Sequence, residues 1–262
     1  MIRSFRAELA RLTRRRILLG TALAGLIFAV GGVLLVLGAA KPAGQGGNSL
    51  IPTTQLLETS SGGNEVFRHA AAFTGTFVFV VMVGLIAAEF ARGTVRTMLL
   101  RQPRRVQLLG GKILAMLAYA AVTLVVVEIV MWVVARILAP AFDISAGSWA
   151  SVAGITSGLK DFGIVFVWVA GYTVFGATVA LLLRSVPLSL AVGIAWAGPI
   201  EHLLGDAWTP GQRFFPGLLL EQLAAGGNAE VSDSRALIMT LIYIVVAGAI
   251  CSVVFSRRDV TA

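Results

Sequence analysis

Six apolar stretches, each long enough to cross a bilayer, set the limits on what this chain can fold into. They cover residues 17–40, 70–90, 113–138, 162–183, 186–204 and 236–255. A membrane-spanning helix needs about 20 predominantly apolar residues. Lipid offers no partner to an unpaired backbone amide, so such runs enter the membrane as helices. Composition agrees. The chain is 57% hydrophobic and 13% charged, where a soluble domain carries about 25% charged residues. The expected fold is all-α and transmembrane, a single domain over residues 1–262. The fifth stretch is the weakest, because it holds Pro187 and Gly198-Pro199 and fades into His202 and Asp206.

The positive charges choose an orientation. Arg3, Arg6, Arg11, Arg14, Arg15 and Arg16 precede the first stretch, and Arg92, Arg96, Arg101, Arg104, Arg105 and Lys112 lie between the second and third. With Arg184, Arg257 and Arg258 they put 15 of the 21 Lys and Arg on one side. The richer side is expected to be cytoplasmic, and an even number of spans puts both termini there. The net charge of +8 is thereby accounted for without nucleic acid, which is not expected as a partner.

Residues 1–16 hold Ile2, Phe5, Leu9 and Leu12 at spacings of three and four, with arginines around the remaining face. This reads as an amphipathic helix lying along the inner membrane surface. The alternative is a basic tail that only orients the first span. Thr13-Arg14-Arg15-Arg16 also resembles a twin-arginine export signal. The apolar run behind it has 24 residues, longer than a signal core, so the first span is expected to be retained.

The outer loop 41–69 is rich in Gly, Ser, Thr and Asn and is expected to be irregular. Cys251 is alone, so no intrachain disulfide forms, and it is read as a buried structural thiol. His69 and His202 each lack a second ligand at helical spacing, which argues against a metal site. Glu201 stands beside His202, but no nucleophile accompanies them, so no catalytic residue is assigned.

The segment 91–112, with Glu89 before it, departs from a plain connector. Gly93 and Thr94 break the preceding helix and can cap a new one. Val95, Met98 and Leu99 give the new helix an apolar face, and Pro103 ends it. Arg104 and Arg105 start the next, and Gly110-Gly111-Lys112 leads into the third span. A short amphipathic helix between two breaks suits a groove on a partner protein. It suits an anionic lipid surface equally well.

This stretch resembles the cytoplasmic loop of ABC-2 type permeases, the membrane subunits of bacterial ABC exporters. Their pattern is an acid, Gly-Thr, a pair of leucines, a proline, a basic residue and Gly-Lys. Here those are Glu89, Gly93-Thr94, Leu99-Leu100, Pro103, Arg105 and Gly111-Lys112. The resemblance runs over the whole chain, from an N-terminal elbow helix through six spans to a broken apolar segment before the last span. It implies a permease in the bacterial plasma membrane, paired with a second copy or a related chain. It also implies two ABC ATPase subunits, which bind ATP and Mg and dock through Glu89, Gly93, Thr94, Arg96, Leu99, Leu100, Pro103, Arg105 and Lys112. No cofactor is expected on this chain, and it is not expected to be an enzyme. A phosphate-binding loop needs G-x-x-x-x-G-K-[ST], but Gly111-Lys112 is followed by Ile113 and position 106 is Val.

Two further places carry polar residues among apolar ones. Glu128 lies roughly 22 Å along the third span, counted from Ile113 at about 1.5 Å per residue. A charge so deep costs on the order of 2.5–3.5 kcal/mol, so it should face the bundle. It either lines a substrate or cation path or is a protonated carboxyl bonded between helices. The outer segment 205–235 has apolar pieces too short to span, which re-enter the membrane if protein covers their backbone. Otherwise they form an interfacial loop anchored by Trp208, Phe214 and Phe215. The resemblance favours re-entrant helices. Rival readings are a membrane-bound transferase and a non-transporting scaffold or sensor. The high ratio of Arg to Lys points to a GC-rich bacterium, and nothing names a substrate.

Overall fold

The computed structural model describes residues 1–44, 50–101 and 104–257. It is mostly helical, 85%, with no strand among the described residues. The helices in chain order are α1 (Ile2–Leu12), α2 (Arg15–Ala39), α3 (Thr54–Leu57), α4 (Gly62–Ala91), α5 (Thr94–Arg101), α6 (Arg105–Leu138), α7 (Val152–Leu183), α8 (Val186–Ala195), α9 (Glu201–Ala207), α10 (Pro216–Ala225) and α11 (Asp233–Arg257). Five stretches are long and apolar enough to cross a membrane, and the bent α4 brings the number to six. These correspond to the six apolar runs of the sequence, so the chain is a multi-pass membrane protein.

α7 is the central helix. Some 72% of its most apolar stretch is buried, against 11% for α11. Its small residues explain this position. A Cβ on Gly171 would stand 2.5 Å from Leu220 Cδ2 and one on Gly176 would stand 3.3 Å from Val83, so α10 and α4 approach the α7 backbone closely. Without a hydrophobic force between helices in lipid, such contact is what holds them together. Ser151 caps the helix by accepting from the Gly154 amide, and Arg184 ends it in the left-handed conformation at φ 53°.

α4 is not the straight span expected over 70–90. It begins at Gly62 and bends by 54° between its halves, Gly62–Gly75 and Phe77–Glu89. A Cβ on Gly75 would lie 2.3 Å from the Tyr172 hydroxyl. The Thr74 hydroxyl donates to the Ala71 carbonyl at 2.9 Å, a bond that competes with the helix ladder and bends it. The fifth run is broken as its sequence implied. A π-turn, Trp196–Ile200, separates α8 from α9, and Gly198 inside it is non-helical at φ −96°, ψ −106°.

The connections at the end of the bundle away from residues 91–112 are more ordered than their composition suggested. Residues 45–49 lie outside the described segments, but α3 and the first turns of α4 occupy much of the loop expected to be irregular. The fully buried Trp149 donates its indole N–H to the Leu57 carbonyl at 2.8 Å. Asn64 donates to the Gly154 carbonyl at 2.7 Å and to Ser157 at 2.9 Å. These bonds dock the α6–α7 connection against the start of α4.

The N-terminal helix forms, but it is rotated from the expected stripe. Its buried residues are Ser4, Glu8 and Leu12, while Ile2 is 68% exposed. Ser4 donates to the Leu108 carbonyl at 2.8 Å, so α1 rests on the first turns of α6. The Arg105 guanidinium reaches the Phe255 and Ser256 carbonyls at the end of α11. Both described ends of the chain therefore meet at the end of the bundle that carries residues 91–112.

Candidate functional site

At that basic end, four ionised side chains from three helices share one buried cluster. Lys112 on α6 donates to Glu8 of α1 at 2.6 Å and to Glu89 of α4 at 2.7 Å. Arg11 of α1 bridges the same two carboxylates. The side chains of Glu8, Glu89 and Lys112 are 5%, 8% and 9% exposed, so the charges are satisfied by one another rather than by water. Glu8 and Arg11 lie one turn apart on α1, and the buried face of α1 turns toward Lys112 because the carboxylate must.

The loop motif is thus split by depth. Glu89 and Lys112 face inward. Gly93 takes the left-handed φ of 66° that ends α4, and the Thr94 hydroxyl donates to the Glu89 carbonyl at 3.1 Å. Thr94 therefore closes the end of α4 rather than capping the start of α5. Met98 and Leu99 pack against the core, and Leu100 is 82% exposed. Arg105 is turned toward α11. Pro103 lies outside the described residues, as does the side chain of Arg96. A small cavity of about 20 Å³ between Ile86, Glu89, Met98, Leu108, Lys112 and Phe255 marks the point where α4, α5, α6 and α11 meet.

A second polar assembly sits at the other end and was not legible in the sequence. Arg68 of α4 is buried and makes ion pairs with Asp161 of α7 at 3.4 Å and Asp233 of α11 at 3.0 Å. It also donates to the Leu223 and Ala224 carbonyls at 3.0 and 3.1 Å. Those carbonyls end α10, where the helix dipole is negative. At the opposite end of α10, the Glu201 carboxylate accepts from the Leu218 amide at 3.0 Å, and Glu201 is fully buried. The first turn of α10 therefore donates to the buried Glu201 carboxyl, and its last carbonyls accept from the buried Arg68 guanidinium. Glu221 on α10 faces His202 at 3.1 Å. Burial pushes the Glu221 carboxyl above its ordinary range, and His202 draws it part of the way back.

Leu219, Leu223 and Ala224 of α10 are fully buried in the bundle, while Trp208 and Phe214 remain about half exposed. Glu128 is half-buried on α6 and has no hydrogen-bond partner among the described residues. A lone Asp in the apolar α7 was the available signal for the Arg68 assembly. Among the described residues, no three of His, Cys, Asp and Glu gather closely enough to hold a metal ion.

No curated protein matches the chain. Residues 48–261 match a family model described as a protein of unknown function, DUF2705. The stretch includes Glu89 and Lys112 but not their partners Glu8 and Arg11. With more than half of its length covered by that model, this multi-pass helical chain belongs to the DUF2705 family.

Proposed function

We propose that the chain is the permease subunit of an ATP-binding-cassette exporter, with the basic end of the bundle in the cytoplasm. Two copies, or one copy with a related chain, engage two separate ATPase subunits and move a drug, peptide, lipid or ion outward. The observation that carries the reading is α5. It is a short helix set off by the break at Gly93, it projects the 82% exposed Leu100, and it is rooted in the cluster of Glu8, Arg11, Glu89 and Lys112.

An exposed leucine on a short helix can anchor that helix in a partner's groove. The buried charges behind it give that anchor a stiff mount. A push on α5 is passed to α4 and α6 together, because Glu89 and Lys112 join them, and to α1 through Glu8 and Arg11. At the far end α4 carries Arg68, which holds α10. α4 thus connects the docking helix to the segment read as the re-entrant outer closure, and its bend beside Gly75 is the place where it can flex. Glu128, on α6 between the two ends, is the candidate for the substrate or cation path. The competing reading is a scaffold whose α5 lies on lipid.

The test is co-purification of tagged chain with any ABC ATPase encoded near its gene, followed by ATPase assay in nanodiscs. Wild type is expected to retain and stimulate the ATPase, and Leu100→Asp to lose both while melting like wild type. An ATPase that never associates, or that binds Leu100→Asp equally well, sinks the reading of α5.

A further inference from the structure

A groove of about 350 Å³ runs between α2 and α6 on the outer surface of the bundle. Leu18 and Leu26 line one wall, and Val126 and Val130 the other. Thr21, Tyr119 and Thr123 are its polar lining, with the Tyr119 hydroxyl donating to Thr21 at 2.9 Å and the Thr123 hydroxyl turned back to the Tyr119 carbonyl. α2 and α6 both rise from the basic end, so the groove begins there. From Leu18 to Leu26 it runs about 12 Å, and from Tyr119 to Val130 about 16 Å, at 1.5 Å per residue. Half of a hydrocarbon core about 30 Å thick is the same length. The groove is one leaflet deep.

Its mouth is strongly cationic. Arg14, Arg15 and Arg16 are all exposed and stand within a turn of Leu18. None of the ion pairs among the described residues engages them. A furrow of leaflet depth that opens under unpaired guanidinium groups matches a molecule with an apolar tail and an anionic head.

We propose that this groove is a binding site for an anionic phospholipid of the basic-side leaflet. One acyl chain fills the furrow, and the phosphate is held by Arg14, Arg15 and Arg16. Arginine suits the phosphate because its planar fork donates two parallel hydrogen bonds. The chain's own residues supply both halves of the recognition, so the site does not depend on what the protein transports.

The test uses the full chain in mild detergent, with bound phosphatidylglycerol or phosphatidylcholine counted by native mass spectrometry after delipidation and readdition. Wild type is expected to hold phosphatidylglycerol in preference to phosphatidylcholine. Ala22→Trp places a ring in the furrow at an exposed position and is expected to remove one tightly held phosphatidylglycerol; Val122→Trp on the facing wall serves if the first variant fails to fold. Replacing Arg14, Arg15 and Arg16 by Gln is expected to weaken retention on the order of fivefold per arginine. Equal retention of the two lipids by wild type overturns the proposal, as does undiminished retention by both Trp variants. An Ala22→Cys variant that oxidises to a dimer in nanodiscs assigns the groove to a second copy instead and also overturns it.

Discussion

Glu89 and Lys112 meet at 2.7 Å although 23 residues separate them in the chain. They are the first and last charged members of the loop motif, and their pair closes the loop on itself at the root of α5. A charge of each sign is thereby removed from the exposed surface.

Removing the lysine leaves Glu8 and Glu89 facing each other with Arg11 alone between them. Lys112→Met is expected to cost about 3–5 kcal/mol, the range for breaking a buried pair. Glu89→Gln should cost less, because Glu8 still compensates Lys112. Melting curves in a single detergent order the two variants, and a Lys112→Met protein as stable as wild type means the cluster contributes nothing to the fold.

Arg68 joins four helices through five donors held in a plane. Arg68→Leu strands Asp161 beside the uncapped end of α10 and is expected to lower stability by about 3–5 kcal/mol. Arg68→Lys keeps the charge but cannot reach two carbonyls and two carboxylates at once, so it should recover only part of the loss. Hydrogen exchange of the α10 amides provides the local readout. Exchange should accelerate at α10 in both variants while the α7 amides stay protected.

Gly75 sits at the bend in α4 and lies against Tyr172. Gly75→Leu is expected to destabilise by about 1–3 kcal/mol through overpacking. Gly31→Ala, with nothing within 4 Å of an added Cβ, is the matched control and should change little. Thermal unfolding distinguishes them, and equal behaviour of the two removes the close approach as the reason for the glycine.

Glu128 tests the path through the bundle. If it lines a substrate or cation route, Glu128→Gln should reduce transport in proteoliposomes at equal protein content. Transport at the wild-type rate assigns the carboxyl to packing alone.

Apolar run length alone determined the helical membrane class, because lipid leaves the backbone no other way to pair its amides. The breaks at Gly93 and Gly198-Pro199 were legible for a similar reason, since they are set by local backbone sterics. The sequence also showed a periodic N-terminal stripe, but not the face that is buried. The stripe at Ile2, Phe5, Leu9 and Leu12 optimises burial in lipid, whereas the structure buries Ser4, Glu8 and Leu12 because Glu8 has Lys112 to reach. Only the tertiary structure paired Glu89 with Lys112, gathered Asp161 and Asp233 on Arg68, and set Glu201 and Arg68 at opposite ends of α10. Those partners stand tens to more than a hundred residues apart. Hydropathy places a charge at a depth in the membrane, but the packing of small residues along α7 decides which helix, and so which countercharge, it meets there.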